Sequence, residues 1–179
     1  MNETMTELRN RYRNTPDKLI HASKLIDSNS KSLNSSIFDV LKKHGLPKMI
    51  QARKTGTVLH EIMLYKRMIR GMKTRIVYQF VEHQIATIQF QFAAEADIHF
   101  AQLRNYMQEL AKGTDLPTEG SFSLVDSNGN RLDYNEGFKV TLTFVNHDPD
   151  LIQNINSAVY QNRFQPSKIE TQRRLELSL

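Results

Sequence analysis

The chain predicts an α+β protein: a helical, basic N-terminal region over residues 1–73, followed by a ferredoxin-like antiparallel sheet domain over residues 74–179. Three observations predict it. Apolar residues recur at helical spacing in the first part, they alternate with period two after residue 75, and from Ile85 the two patterns follow in the order strand, helix, strand, strand, helix, strand. That order is the split β-α-β-β-α-β arrangement, in which an antiparallel sheet carries both helices on one face. A compact domain of ~150 residues buries roughly 70% of its unfolded surface, so this chain needs no covalent staple.

Thr15-Pro16-Asp17 has helix-start chemistry, with a side-chain acceptor before a proline that pre-sets φ, and predicts a short helix over 15–26. Leu33, Ile37, Val40 and Leu41 predict a second helix over about 30–44, stopped by Gly45 and Pro47. Residues 48–54 show no clear period and are expected to connect. Val58, Ile62, Tyr65, Ile69 and Met72 step by four and three residues, which predicts a third helix ending near Gly71, with Lys66, Arg70 and Lys73 as a basic stripe beside the apolar one.

From Arg75 the period changes. Ile76, Tyr78 and Phe80 predict an extra strand over 75–81, residues 82–84 a turn, and Ile88, Phe90 and Phe92 the next strand. Ala96, Phe100, Leu103, Met107 and Leu110 restore a helical stripe that ends at Gly113. Phe122 and Leu124 open a strand, Asn128-Gly129 is a tight-turn signal, and Val140, Leu142 and Phe144 form another strand. Asp148-Pro149-Asp150 opens a helix bearing Ile152, Ile155 and Val159, and Leu175, Leu177 and Leu179 suit a closing strand. Gln89, Gln91, Thr141 and Thr143 fall on one face of their strands and the phenylalanines on the other, so the face without helices is expected to be polar and without stacking aromatics.

Charge is strongly segregated. Lys42, Lys43, Lys48, Arg53, Lys54, Lys66, Arg67, Arg70, Lys73 and Arg75 are accompanied by one acid, Glu61, whereas residues 76–165 carry five Lys or Arg against eleven Asp or Glu. A local patch of one sign attracts a polyanion more strongly than the averaged net charge of +5 implies, because screening confines the field to roughly 10 Å. These ten cations are the candidate binding residues.

Chemistry is constrained chiefly by exclusion. Without cysteine there is no disulfide, thiolate zinc site or cysteine nucleophile. His60-Glu61 begins a zinc-protease motif, but its second histidine position is Leu64. Asp126 to Asn130 begins like a calcium loop, but Arg131 stands where glycine must turn the chain and Gly137 where a glutamate must ligate. Asn146-His147-Asp148 reads as a helix cap, with an acid–base role for His147, Asp148 and His83 as the enzymatic alternative. No phosphate-binding glycine loop or serine elbow is present. No cofactor, metal or catalytic residue is assigned.

The functional expectation is therefore a non-enzymatic binding or assembly factor. Its basic region contacts nucleic acid or an acidic protein partner, and its sheet domain supports homo-oligomers. The alternative is a structural component of a larger assembly, such as a secretion machine or a virion, docking through a helix rich in Met49, Met63, Met68 and Met72. No apolar run approaches the ~20 residues of a transmembrane helix, and a cytoplasmic location is expected.

Overall fold

A computed structural model describes residues 4–14, 16, 18–22, 33–93, 97–111, 115–137 and 139–164. In chain order the described elements are α1 (Met5–Arg13), β1 (Leu19–His21), α2 (Ile37–His44), β2 (Met49–Thr55), β3 (Val58–Ile69), β4 (Met72–Val81), β5 (Gln84–Phe92), α3 (Asp97–Ala111), β6 (Phe122–Val125), β7 (Arg131–Glu136), β8 (Val140–Val145) and α4 (Pro149–Phe164). The strands form one sheet in the order β1-β6-β7-β8-β5-β4-β3-β2. All neighbours are antiparallel except β1 and β6.

Local chemistry sets the helix starts. Thr4 and Glu7 form a reciprocal capping box on α1, and Ser36 and Asp39 do the same on α2. At α4 the Asp148 carboxylate accepts from the backbone N–H of Asp150 and Leu151 at 3.0 and 3.1 Å, with Pro149 in the first turn, as the sequence implied. Turns are set equally locally. Arg70 and Gly71 both have positive φ, as do Glu82 and His83, and each pair joins strands through the two-residue geometry whose twist matches a hairpin.

Three early expectations are corrected. Val58–Ile69, expected as a helix, is the longest strand of the sheet. Leu19–His21, expected inside a helix, pairs with β6, while the N-terminal helix lies earlier, at α1. The unpatterned connector is the edge strand β2. The second expected helix is present as α2, shorter at its start, and the expected closing strand near the C-terminus lies outside the described residues.

The α+β class holds, with a helix at the N-terminus, but eight strands exceed the four of the expected ferredoxin-like arrangement. β1, β2, β3 and β7 are strands that the expectation lacked, and β7, between the Asn128-Gly129 turn and β8, is the one that changes the connection around α3. Three antiparallel steps, through β8 and β7, now separate β5 from β6, so the strands flanking α3 run in opposite directions. In the split arrangement they would be parallel. The expected domain boundary at residue 73 falls within β4, which is paired on both sides.

Helices cover both faces, another departure from the expectation. On one face α2 packs over Met63, Tyr65, Ile76, Tyr78 and Ile88, and α3 packs through Leu103 and Met107 on Phe92, Leu124, Leu132 and Leu142. On the opposite face α1 and α4 meet Val58, Val81 and Ala86 through Met5, Leu8, Leu151 and Ile155. Those last contacts lie near the β2–β3, β4–β5 and β8–α4 turns. Elsewhere on that second face Ile62, Leu64 and Val77 form a small buried apolar cluster, and beside it, with no described helix over them, lie the polar residues of β5 and β8.

Candidate functional site

The uncovered part of the sheet is built by strand alternation. Lys66 pairs with Arg75, Met68 with Lys73, Arg75 with Gln91, and Gln91 with Thr141, so all of these share one face. The neighbouring positions, Thr74, Phe92 and Val140, turn to the α3 side. Apart from Met68, the described residues of this floor are thus polar or charged and none is aromatic, as the alternation in the sequence implied.

At its basic corner, Lys66, Arg67, Met68, Lys73, Thr74, Arg75, Gln91, Ala93 and Lys139 line a recess of about 560 Å³. No acid lines it. Among the described residues no ion pair neutralises Lys66, Lys73, Arg75 or Lys139. The Arg75 Nε is buried without a hydrogen-bond partner, an unmet donor at the wall of a cationic recess. Cations held this close repel one another, so the recess gains from any anion that enters.

The ten candidate cations are not one patch. Lys66, Arg67, Lys73 and Arg75 meet at this recess. Arg67 points to the other face, donating to the His44 carbonyl at 2.7 Å and lying over the Tyr65 ring. Arg70, in the β3–β4 turn, faces Glu109 at 3.9 Å and the ring of Tyr106. Lys42 and Lys43 occupy the last turn of α2, where cations complement the negative end of the helix, and burial, assisted by Lys43 and Arg67, holds His44 below the usual histidine range. Lys48 leads into β2, and its N–H donates to Leu64 O. Arg53 and Lys54 lie at the opposite end of that edge strand, against His60 and Leu59. Lys139 is the contributor that the charge run could not reveal, because it reaches the recess through the pairing of β8 with β5.

A second recess of about 890 Å³ adjoins the first across the same floor, between the sheet and α1. Gln89, Thr141, Thr143, Asp133 and Ser123 form its base, and Asn10, Arg11, Asn14 and Lys18 its far wall. Polar side chains are tied along the base. Gln91 Nε2 donates to Gln89 Oε1 at 2.8 Å, Gln89 Nε2 to Thr143 Oγ1 at 3.3 Å, and Ser123 Oγ to Asp133 Oδ1 at 2.6 Å. Arg131 lies 2.8 Å from Asp133, which offsets the acid's charge.

Other candidate chemistry is engaged structurally. Asp126 accepts from the N–H of Asn128 and Asn130, shaping the turn that resembled a calcium loop, and of the Asn128-Gly129 pair only Gly129 has positive φ. Asp148 caps α4, His83 contacts Glu61 at 2.8 Å, and His147 stacks at a tilt on Tyr12. The methionine-rich docking helix does not exist: Met63 and Met72 are core residues of β3 and β4, Met49 is half-buried, and only Met68 is exposed.

No protein-family model matches the chain, and neither a curated protein nor a solved structure matches it.

Proposed function

We propose that this protein binds nucleic acid without chemical turnover, holding phosphates at the basic corner of the open sheet face. The observation that carries the reading is the convergence of Lys66, Lys73, Arg75 and Lys139 on one recess that no acid lines among the described residues and that contains an unsatisfied Arg75 Nε. Phosphate meets both needs, since it carries the charge and offers several acceptors to a guanidinium. An acidic protein partner fits less well. Protein interfaces draw most of their energy from buried aromatic or aliphatic anchors, and among the described residues lining this recess Met68 is the one large apolar side chain. The proposal includes a cytoplasmic setting.

The test is fluorescence anisotropy with labelled DNA and RNA at graded salt, comparing the native protein with Lys66→Glu/Lys73→Glu. Binding should weaken linearly in log–log form with salt, and losing two phosphate contacts should lower the slope by roughly 1.4–1.8. Affinity at low salt should drop at least about tenfold. A native protein that binds neither nucleic acid at low salt rejects the reading, as does a double variant that binds unchanged. Equal affinity for polyglutamate would transfer the site to an acidic partner. The mass in solution, measured alongside, tests the self-association expected of the sheet.

A further inference from the structure

We infer that the groove accepts one extended single strand rather than a duplex, and that the strand crosses the sheet from the Arg75 corner to the wall of α1 and Lys18. This deepens the nucleic-acid reading and rests on it. The two recesses form one path, because Gln91 of the first donates to Gln89 of the second, and Lys139 of the first lies two residues from Thr141 of the second.

Depth argues for a slim ligand. Thr143 and Ser123 are each only 3% exposed, and Gln89, Gln91 and Thr141 are half-buried, so the floor lies below its rim. A duplex presents a broad convex surface and touches only rims. An unpaired strand has a thinner profile and bases that can turn toward the floor.

Charge follows the same path. The basic corner, lined by no acid among the described residues, gives way to amides and hydroxyls, with Asp133 offset by Arg131, and positive charge returns at Arg11 and Lys18. Glu7, the other acid among the described residues of that recess, accepts from the Thr4 N–H in the capping box. Phosphates therefore have seats at both ends, and uncharged sugar or base edges lie between them. Five inter-strand steps separate β3 from β6, and at ~4.8 Å each they span about 24 Å. That length suits the lower end of the ~4–16 nucleotide range of single-strand sites. Phe122 and Tyr134 line the second recess but bury their rings in the core beneath α3, so no described ring is offered for stacking and base preference is weak.

The probes are labelled di-, penta- and decathymidylate and a ten-base-pair duplex, each titrated at low salt against the native protein and Lys18→Glu. Lys18 is exposed, and its bond to β6 runs through its backbone carbonyl, so the variant keeps the fold and its urea midpoint. Pentathymidylate should bind at least about tenfold tighter than the dinucleotide, and decathymidylate about tenfold tighter than the duplex. Lys18→Glu should weaken the decamer about fivefold and leave the dinucleotide unchanged. Duplex binding as tight as single strand, or a decamer indifferent to Lys18→Glu, overturns the path while the basic corner stands. Failure of every probe to bind the native protein overturns both.

Discussion

At the scale of single residues, Arg131 shows how a buried charge organises this molecule. It is 7% exposed, and its guanidinium donates to the carbonyls of Arg11 and Asn14 at 2.7 and 3.0 Å, satisfying the last turn of α1. Its Nε lies 2.8 Å from Asp133, an ion pair whose angle is too poor for a hydrogen bond. Arg131→Met strands the acid and frays the helix end, and should cost about 3–5 kcal/mol in urea unfolding. A loss below about 1 kcal/mol would mean that water replaces the arginine. His147 lies close by, half-buried against Tyr12. Burial, assisted by Arg131 and opposed by Asp133 and Asp126, holds its pKa below the ordinary histidine value. The unfolded chain then takes up a proton near ~6.5 before the folded chain does, so stability is full above that pH and falls as pH drops below it. His44 acts in the same direction. His147→Gln should flatten part of that acid-side slope in urea midpoints measured from pH 7.5 to 5, and an unaltered slope would assign it elsewhere.

Among elements, β4, β5, α3, β6, β8 and α4 were legible because each shows one clean period, whereas β3 misled for a physical reason. Residues 60–65 of β3 are buried on both faces, so no polar alternation marks them. The apparent helical stripe combines Ile62, which belongs with Leu64 and Val77, and Tyr65, which packs beneath α2 on the opposite face. The positive-φ pair Arg70-Gly71 was the overlooked signal, since a two-residue turn of this kind belongs to a hairpin. For α1 the signal was Thr4 three residues before Glu7, a capping box hidden in a polar run. β7 does alternate, with Leu132 and Tyr134 toward α3, but its outward charges resemble a loop. In the groove, the cation run identified Lys66, Lys73 and Arg75, while Lys139 and Lys18 depend on pairings across the sheet that no local pattern encodes. The hairpin between β3 and β4 sets the spacing of Lys66 and Lys73. No atom lies within 4 Å of a Cβ placed on Gly71, whose φ is +79, so Gly71→Ala pays only for backbone strain. It should destabilise by about 1–2 kcal/mol, read as a shifted urea midpoint at constant slope.

For the molecule as a whole, the sheet joins what the charge pattern divides. The basic segment ends at Arg75, inside β4, and β4 pairs with the cationic strand β3 on one side and with β5 on the other. Phe90, Phe144 and Ile69 pack against the cluster beneath α2 and against the one beneath α3, so the helix-covered side forms a continuous apolar layer. Opposite, Val58 of β3 packs with Leu151 and Ile155 of α4, near the two ends of the described chain. Residues 74–179 expressed alone would lose β2, β3, α1 and α2 together, exposing the apolar side chains Ile76, Tyr78 and Phe80 and one hydrogen-bonding edge of β4. That fragment should show no cooperative urea transition, whereas the full chain should give one transition that coincides by far-UV circular dichroism and tyrosine fluorescence. A fragment that unfolds cooperatively would restore the division at residue 73. It would also detach the basic corner from its floor, since Lys66 and Lys73 stand on one side of that division and Arg75, Gln91 and Lys139 on the other.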